Sequence, residues 1–256
     1  MERGTWNVEL AIPMEFDKFR IRFRKRGDLR FLSHHDLMRT FERMLRRAAL
    51  PFRSTEGFHP HPRLVFALSL PLGTVGLNEV VELEFLTEMP PEEVFSRLVA
   101  QAPQGIEFAS IRRIPPRLTG QVCRAVYRLP IPASRFNETE RLIAELLAQA
   151  EISVERSHPR PKRVDIRPYL LDIRHTTDAV EIDLKVTATG SARADEVLRL
   201  LGLADLLDSG AVLERTTLEL LDETTEHTPS RLPEADEGLA STALVTCDAI
   251  ADDDRP

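Results

Sequence analysis

Cysteine is nearly absent: Cys123 and Cys247 are the only two in 256 residues, too few and too far apart for a disulfide framework or a metal knuckle. No Cys-x3-Cys-x2-Cys run is present to hold an iron–sulfur cluster, no Gly-Lys-Ser/Thr loop to cradle a phosphate, and no Gly-x-Ser-x-Gly elbow. Apolar stretches fall short of the ~20 residues that a spanning helix needs. The opening MERGTWNVELAIPMEF has neither a basic leader nor a continuous apolar core. Together these absences point to a cytoplasmic protein with no membrane attachment.

Charge is present but unevenly spread. The net charge of −7 and the isoelectric point near 5.6 argue against a polyanion partner. From Asp222 to Pro256, however, 10 acids stand against 2 bases, so the preceding chain is close to neutral. Between Lys18 and Arg63 there are 13 Lys/Arg and 4 Asp/Glu, an electrostatic footprint of the kind that meets polyanions. A hydrophobic share of 42% supplies a real core, and the length allows one large or two small domains.

Residues 1–16 form an arm without clear period. Phe19, Ile21 and Phe23 then alternate with Arg20, Arg22 and Arg24, the signature of a strand with one covered face. Ser33 caps a helix with apolar stripe Leu37, Phe41, Met44, Leu45 and Ala48, stopped by Pro51. Strands over 63–70 and 79–85, a helix opened by Pro90-Pro91 and a strand over 106–111 complete a first unit, 17–115. The order recurs over 116–221, with strands at 123–129, 163–174, 180–186 and 212–220 and helices at 138–150 and 192–201. The predicted fold is α+β: two tandem ferredoxin-like (βαββαβ) units with antiparallel sheets. Residues 222–256, acidic and without aromatics, read as a disordered tail.

The candidate site lies mostly between Phe31 and Gly73. The first helix turns out Arg39, Arg43, Arg46 and Arg47, with Glu42 the only acid among them. The loop Gly57-Phe58-His59-Pro60-His61-Pro62 is stiffened by two prolines, which keep it out of helices and central strands. Phe58, His59, His61 and the flanking Arg63 join the helix arginines as RNA-binding candidates. Metal ligation by these histidines has no fourth ligand in view, so no metal site is assigned. Strand alternation places Asp165, Arg167 and Tyr169 on one face, either as a packing joint or as a second-unit contribution to the site. Arg20, Arg22 and Arg24 resemble an RNA-binding sheet but lack outward aromatics. Cross-strand pairing with Glu82 and Glu84, and of Arg124 and Arg128 with Glu181 and Asp183, accounts for them.

Several of these runs are similar to one family pattern. Ser33-His34-His35-Asp36-Leu37-Met38-Arg39, Arg47-Ala48-Ala49-Leu50-Pro51, Glu56 to Pro62, Leu70-Pro71-Leu72-Gly73 and Lys162 to Tyr169 resemble the radical-SAM-linked proteins, a domain of unknown function, over roughly residues 17–221. The chain departs from the commoner pattern at His35 and His59, where leucine and asparagine are usual. The resemblance implies an accessory role beside a radical SAM enzyme encoded nearby, often in RNA-processing settings. The partner would hold the S-adenosylmethionine and the iron–sulfur cluster. Two enzyme classes share tandem ferredoxin-like units. A CRISPR-type endoribonuclease would use His34 or His61 as general acid or base, and a pseudouridine-synthase-like enzyme would use Asp165 as nucleophile. A protein-binding scaffold without RNA is the remaining alternative.

Overall fold

In the computed structural model, residues 16–157 and 160–224 are described; most of the N-terminal arm and of the acidic tail lies outside them. In β1 (Asp17–Lys25) Phe19, Ile21 and Phe23 are buried on one face while Arg20, Arg22 and Arg24 take the other. Ser33 caps α1 (His34–Arg47), accepting from the Asp36 amide at 3.2 Å and donating to the Asp36 carboxylate at 2.7 Å. β2 (Leu64–Phe66), β3 (Val75–Phe85), α2 (Pro91–Val99) and β4 (Ile106–Ile114) complete the first half. The second half contains β5 (Val122–Pro130), α3 (Phe136–Leu147), a hairpin of β6 (Ser153–Arg156) and β7 (Lys162–Asp165), then β8 (Leu170–His175) and β9 (Ala179–Thr187). It ends with β10 (Gly190–Ser191), α4 (Ala194–Leu200), α5 (Ala204–Asp208), β11 (Glu214–Leu220) and α6 (Leu221–Thr224).

These elements make a mixed α+β fold on a nine-stranded, mostly antiparallel sheet in the order β10-β9-β5-β11-β3-β1-β4, with β2 beside β3 and β8 beside β9. The two halves carry separate cores. Phe19, Ile21, Phe23, Val81, Leu83 and Phe85 pack on Phe41 and Leu45 of α1 and on Val94 and Leu98 of α2. Tyr127, Leu129, Ile182 and Leu184 pack on Ile143 and Leu146 of α3 and on Val197 and Leu198 of α4. No helix among the described residues is long and apolar enough to cross a membrane.

Three expectations change. The strand expected over 163–174 is broken: Asp165 Oδ1 accepts the amides of Ile152 (2.9 Å) and Arg167 (3.0 Å), and the chain turns as a 3-10 helix over Arg167–Tyr169 before β8 begins. Pro168, without an N–H, cannot continue a ladder. The shared face of Asp165, Arg167 and Tyr169 is lost with the strand, and β7 instead pairs with β6. The second strand is also shorter than expected, three residues rather than eight. The tail does not begin at residue 222, because α6 carries Asp222 and Glu223 onto the first half.

The halves meet at the one parallel pairing among the described strands, Glu214↔Val75 and Arg215↔Gly76 between β11 and β3. Beneath it Arg215 is wholly buried, and all five of its donors are used. Nε donates to Glu79 at 2.8 Å, Nη1 to the Ser69 carbonyl (3.1 Å) and the Tyr127 hydroxyl (3.3 Å), and Nη2 to the Leu68 carbonyl (3.0 Å) and Glu79. Burial works against the Arg215 charge, but Glu79 outweighs it and pushes the pKa up. Gly76 makes room for this pair, since a Cβ there would lie 2.5 Å from Glu79 Cγ. Lys25 is buried alongside, its Nζ near the carbonyls of Arg30 (3.4 Å) and Leu32 (3.3 Å); burial pushes its pKa down, against the pull of Glu79.

Arg215→Ala strands the Glu79 carboxylate and is expected to cost about 3–5 kcal/mol, read as a lower urea midpoint. An Arg215→Met/Glu79→Met/Lys25→Met triple variant should recover most of that loss, because no buried charge of this cluster then stands alone. A second prediction concerns Glu196, where burial tends to raise the carboxyl pKa. Bonds from Arg156 (2.7 and 2.8 Å) and from the Arg193 amide (3.0 Å) overcome this and hold it below its usual range. A depressed folded-state pKa gives stability that is complete above the unfolded value of about 4.3 and is lost as pH falls below it. Glu196→Gln is therefore expected to flatten the acid limb of a stability–pH series.

Candidate functional site

The segment between α1 and β2 doubles back on a stem. The Arg63 amide donates to the Arg53 carbonyl at 2.7 Å, Arg53 to Glu84 of β3 at 2.7 Å, and Glu84 back to Arg63 at 3.2 Å. Higher up, the Thr55 amide donates to the His61 carbonyl (2.8 Å) and the His61 amide to Thr55 Oγ1 (3.1 Å). The tip, residues 56–60, is exposed throughout. Phe58 projects there at 102% relative exposure, so its ring adds nothing to the core.

His61 leans back to α1. Its Nδ1 lies 3.4 Å from Glu42 Oε2, while Arg46 donates to Glu42 Oε1 through Nε (3.2 Å) and Nη2 (2.9 Å). Partial burial tends to raise the Glu42 pKa, but the bonds from Arg46 and His61 hold it below the usual carboxylate range. Between loop and helix lies a cleft of about 230 Å³ lined by His35, Met38, Arg39, Glu42, His61, Pro62 and Leu64. Small-molecule pockets span roughly 300–1,000 Å³. This cleft suits one group of a larger ligand.

The helix arginines differ in their commitments. Arg46 is bound to Glu42 and stacks over Phe52 at 5.3 Å, and Arg39 lies 3.5 Å from Asp36. Arg43 and Arg47 reach only neutral oxygens among the described residues, Thr40 Oγ1 at 3.3 Å and the Gln101 carbonyl at 3.4 Å. His35 lines the cleft and His59 is exposed on the tip, but His34 is turned edge-on to Phe66 at 5.5 Å beside Phe23 and Phe41. Arg63 keeps a buried Nε without a hydrogen-bond partner.

The second-half candidates stand elsewhere, with partners in their own half. Arg167 donates to the carbonyls of Leu147 (3.3 Å), Gln149 (3.1 Å) and Leu170 (3.2 Å), satisfying the C-terminal end of α3. Asp165 spends one oxygen on two amides in the turn, and the Tyr169 hydroxyl lies against Gly190. Arg39 and His61 line the cleft and Arg46 reaches it through Glu42, whereas Phe58 and His59 stand on the exposed tip, Arg43 bonds back to Thr40 and Arg47 turns to the Gln101 carbonyl after α2; Asp165, Arg167 and Tyr169 stand apart in the second half. Sequence reasoning missed Glu42 as the link between loop and helix; being the lone acid on a basic face was its one signal. Among the described residues no three His, Cys, Asp or Glu converge as a metal-ligand set.

Fold and surface together define a mixed α+β protein that presents a basic helix beside a projecting aromatic loop. Residues 18–198 match the family described as "Uncharacterized protein conserved in bacteria (DUF2344)", and the chain belongs to that family. No curated protein matches it. Among solved structures it is similar to "Crystal Structure of an Unknown Protein from Galdieria sulphuraria", with 11% identity over 81% of this chain and 99% of the other and a TM-score of 0.27. That likeness is too slight to carry an argument.

Because Phe58 packs on nothing, Phe58→Ala is expected to leave stability within about 0.5 kcal/mol of wild type. Phe41→Ala, in the first core, should cost about 3–5 kcal/mol. Paired thermal melts separate the two.

Proposed function

We propose that this protein is a substrate-recognition subunit, without chemistry of its own, that holds RNA or a ribosomal substrate for a radical SAM enzyme in the cytoplasm. The partner supplies the S-adenosylmethionine and the iron–sulfur cluster. The observation that carries the RNA reading is the set of basic side chains along α1, of which Arg43 and Arg47 meet no carboxylate among the described residues, together with a loop tip that leaves the Phe58 ring exposed. Guanidinium groups on a phosphate chain and an aromatic ring on an unstacked base are the usual means of holding single strands. The radical SAM setting rests on the sequence resemblance alone.

Each half is read as a ferredoxin-like unit. The strand orders β4-β1-β3-β2 and β11-β5-β9-β8 support this, as the same permutation drawn twice with two helices on one side. A second reading, RNA cleavage, is favoured by one contact: Glu42 beside Nδ1 would orient His61 for acid–base work at Nε2. The synthase reading loses its support, since Asp165 is engaged by two backbone amides.

The test is purification from the native host at moderate salt, with the ratio of nucleic acid to protein recorded before and after ribonuclease. Wild type is expected to retain RNA, and Arg43→Glu/Arg47→Glu to release it. Removing two phosphate contacts should flatten the log–log salt slope by about 1.4 for a single strand. A radical SAM partner arriving without RNA would sink the RNA reading and leave a protein scaffold. Cleavage of the bound RNA that stops in His61→Ala would replace the recognition role by the nuclease.

A further inference from the structure

The sheet face turned away from the helices carries a second basic cluster, independent of the helix–loop surface. Arg20 and Arg22 of β1 and Arg112 of β4 converge on α6. Arg20 Nη1 donates to Asp222 Oδ2 at 2.6 Å and Glu223 Oε1 at 3.2 Å, and Arg112 Nη2 donates to Glu223 Oε1 at 2.8 Å and lies 3.6 Å from Asp222. Arg22 binds the other Glu223 oxygen and is steadied by Asn78 Oδ1 (2.8 Å) and the Leu218 carbonyl (3.1 Å).

Arg20 is almost fully buried, and its other edge is fixed. Nε and Nη2 donate to Glu82 Oε1 at 3.0 and 2.8 Å, and the same carboxylate meets Lys18 at 2.9 Å and the Gly120 amide at 2.9 Å. A Cβ on Gly120 would stand 3.0 Å from both Arg20 Nη2 and Glu82 Oε1, so glycine lets this loop close over the pair. Without α6 the cluster holds Lys18, Arg20, Arg22 and Arg112 against Glu82, four positive charges to one negative. With Arg20 fixed on Glu82 and two further guanidinium groups beside its other edge, the cluster favours an anion there.

The anion now present is held chiefly by charge, through Asp222 and Glu223. The described residues of α6 are Leu221–Thr224, and the Leu221 side chain is 56% exposed. The Leu221 amide reaches the Gln121 carbonyl at 2.8 Å, and Asp222 and Glu223 bind the arginines. Such an attachment is exchangeable for another oxyanion, and phosphate suits converging guanidinium forks best.

We propose that Arg20, Arg22 and Arg112 form a phosphate-binding site that Asp222 and Glu223 occupy in the resting chain, and that a phosphate-bearing ligand binds by displacing α6. The tether keeps the two carboxylates at an effective concentration of about millimolar, so ligands offering several phosphates compete best.

The test titrates the full chain and its Asp222→Asn/Glu223→Gln variant with inorganic pyrophosphate and with a short single-stranded RNA. The variant is expected to bind at least about tenfold more tightly, a gain that added salt erodes and that Arg22→Gln/Arg112→Gln removes. A gain with pyrophosphate identifies a free phosphate group as sufficient, and a gain with RNA alone identifies the phosphodiester backbone. Equal binding by the folded variant and wild type overturns the site, as does a gain that survives loss of Arg22 and Arg112. If the variant fails to fold, wild type decides: excess of either ligand should speed hydrogen exchange at the Leu221 amide, and unchanged exchange there overturns the displacement. Adding Arg43→Glu/Arg47→Glu should leave the gain intact, which separates this site from the helix–loop surface.

Discussion

The ion pair of Arg215 and Glu79 holds the seam on which the rest of the architecture depends. Only two residue pairs join β11 to β3, too few for backbone bonding alone to set how the two cores sit. The guanidinium adds side-chain reach: from β11 it grips β3 through Glu79, the segment before β3 through the Leu68 and Ser69 carbonyls, and β5 through Tyr127. Apolar residues of equal volume would bury as well but would accept several registers. A fork with five directed donors accepts one, which is the role buried ion pairs fill best.

The same strand positions the acidic clasp. β11 runs straight into α6, so the register fixed at Arg215 determines where Asp222 and Glu223 arrive. A one-residue slip would turn every side chain of β11 to the opposite face. The acids would then miss Arg20. The seam on the helix side and the clasp on the other are two consequences of one strand placement.

Much of this fold is legible in short-range sequence pattern. Alternation in β1 and the Ser33 cap are local signals, and the corresponding strand and helix are present. The break at Asp165 escapes a reading by alternation, which runs on through Pro168; the missing donor of that proline is the better guide. The β6–β7 hairpin has strands of four residues, below the length at which periodicity speaks. Composition marks residues 222–224 as tail because their partner Arg20 stands some 200 residues earlier, 202 in the case of Asp222. The Glu42–His61 contact is hidden for a related reason: the stem that returns the loop to α1 is anchored on Glu84 of β3, beyond the reach of local pattern.

The arginines of the sheet and of α1 are held in different ways. On the sheet, Arg20, Arg22, Arg112 and Arg124 each meet a carboxylate: Glu82, Asp222 or Glu223 for the first three, and Asp183 at 2.7 Å for Arg124. Arg53 is matched likewise by Glu84 at 3.1 Å. On α1 the matching is partial: Asp36 serves Arg39 and Glu42 serves Arg46 and His61, while among the described residues Arg43 and Arg47 meet only neutral oxygens. A chain with 41 acidic residues had acids to spare for those two positions. Solvated arginines cost the fold little, so stability alone does not require them to be unmatched. Both side chains are exposed, where water solvates the guanidinium in place of an acid.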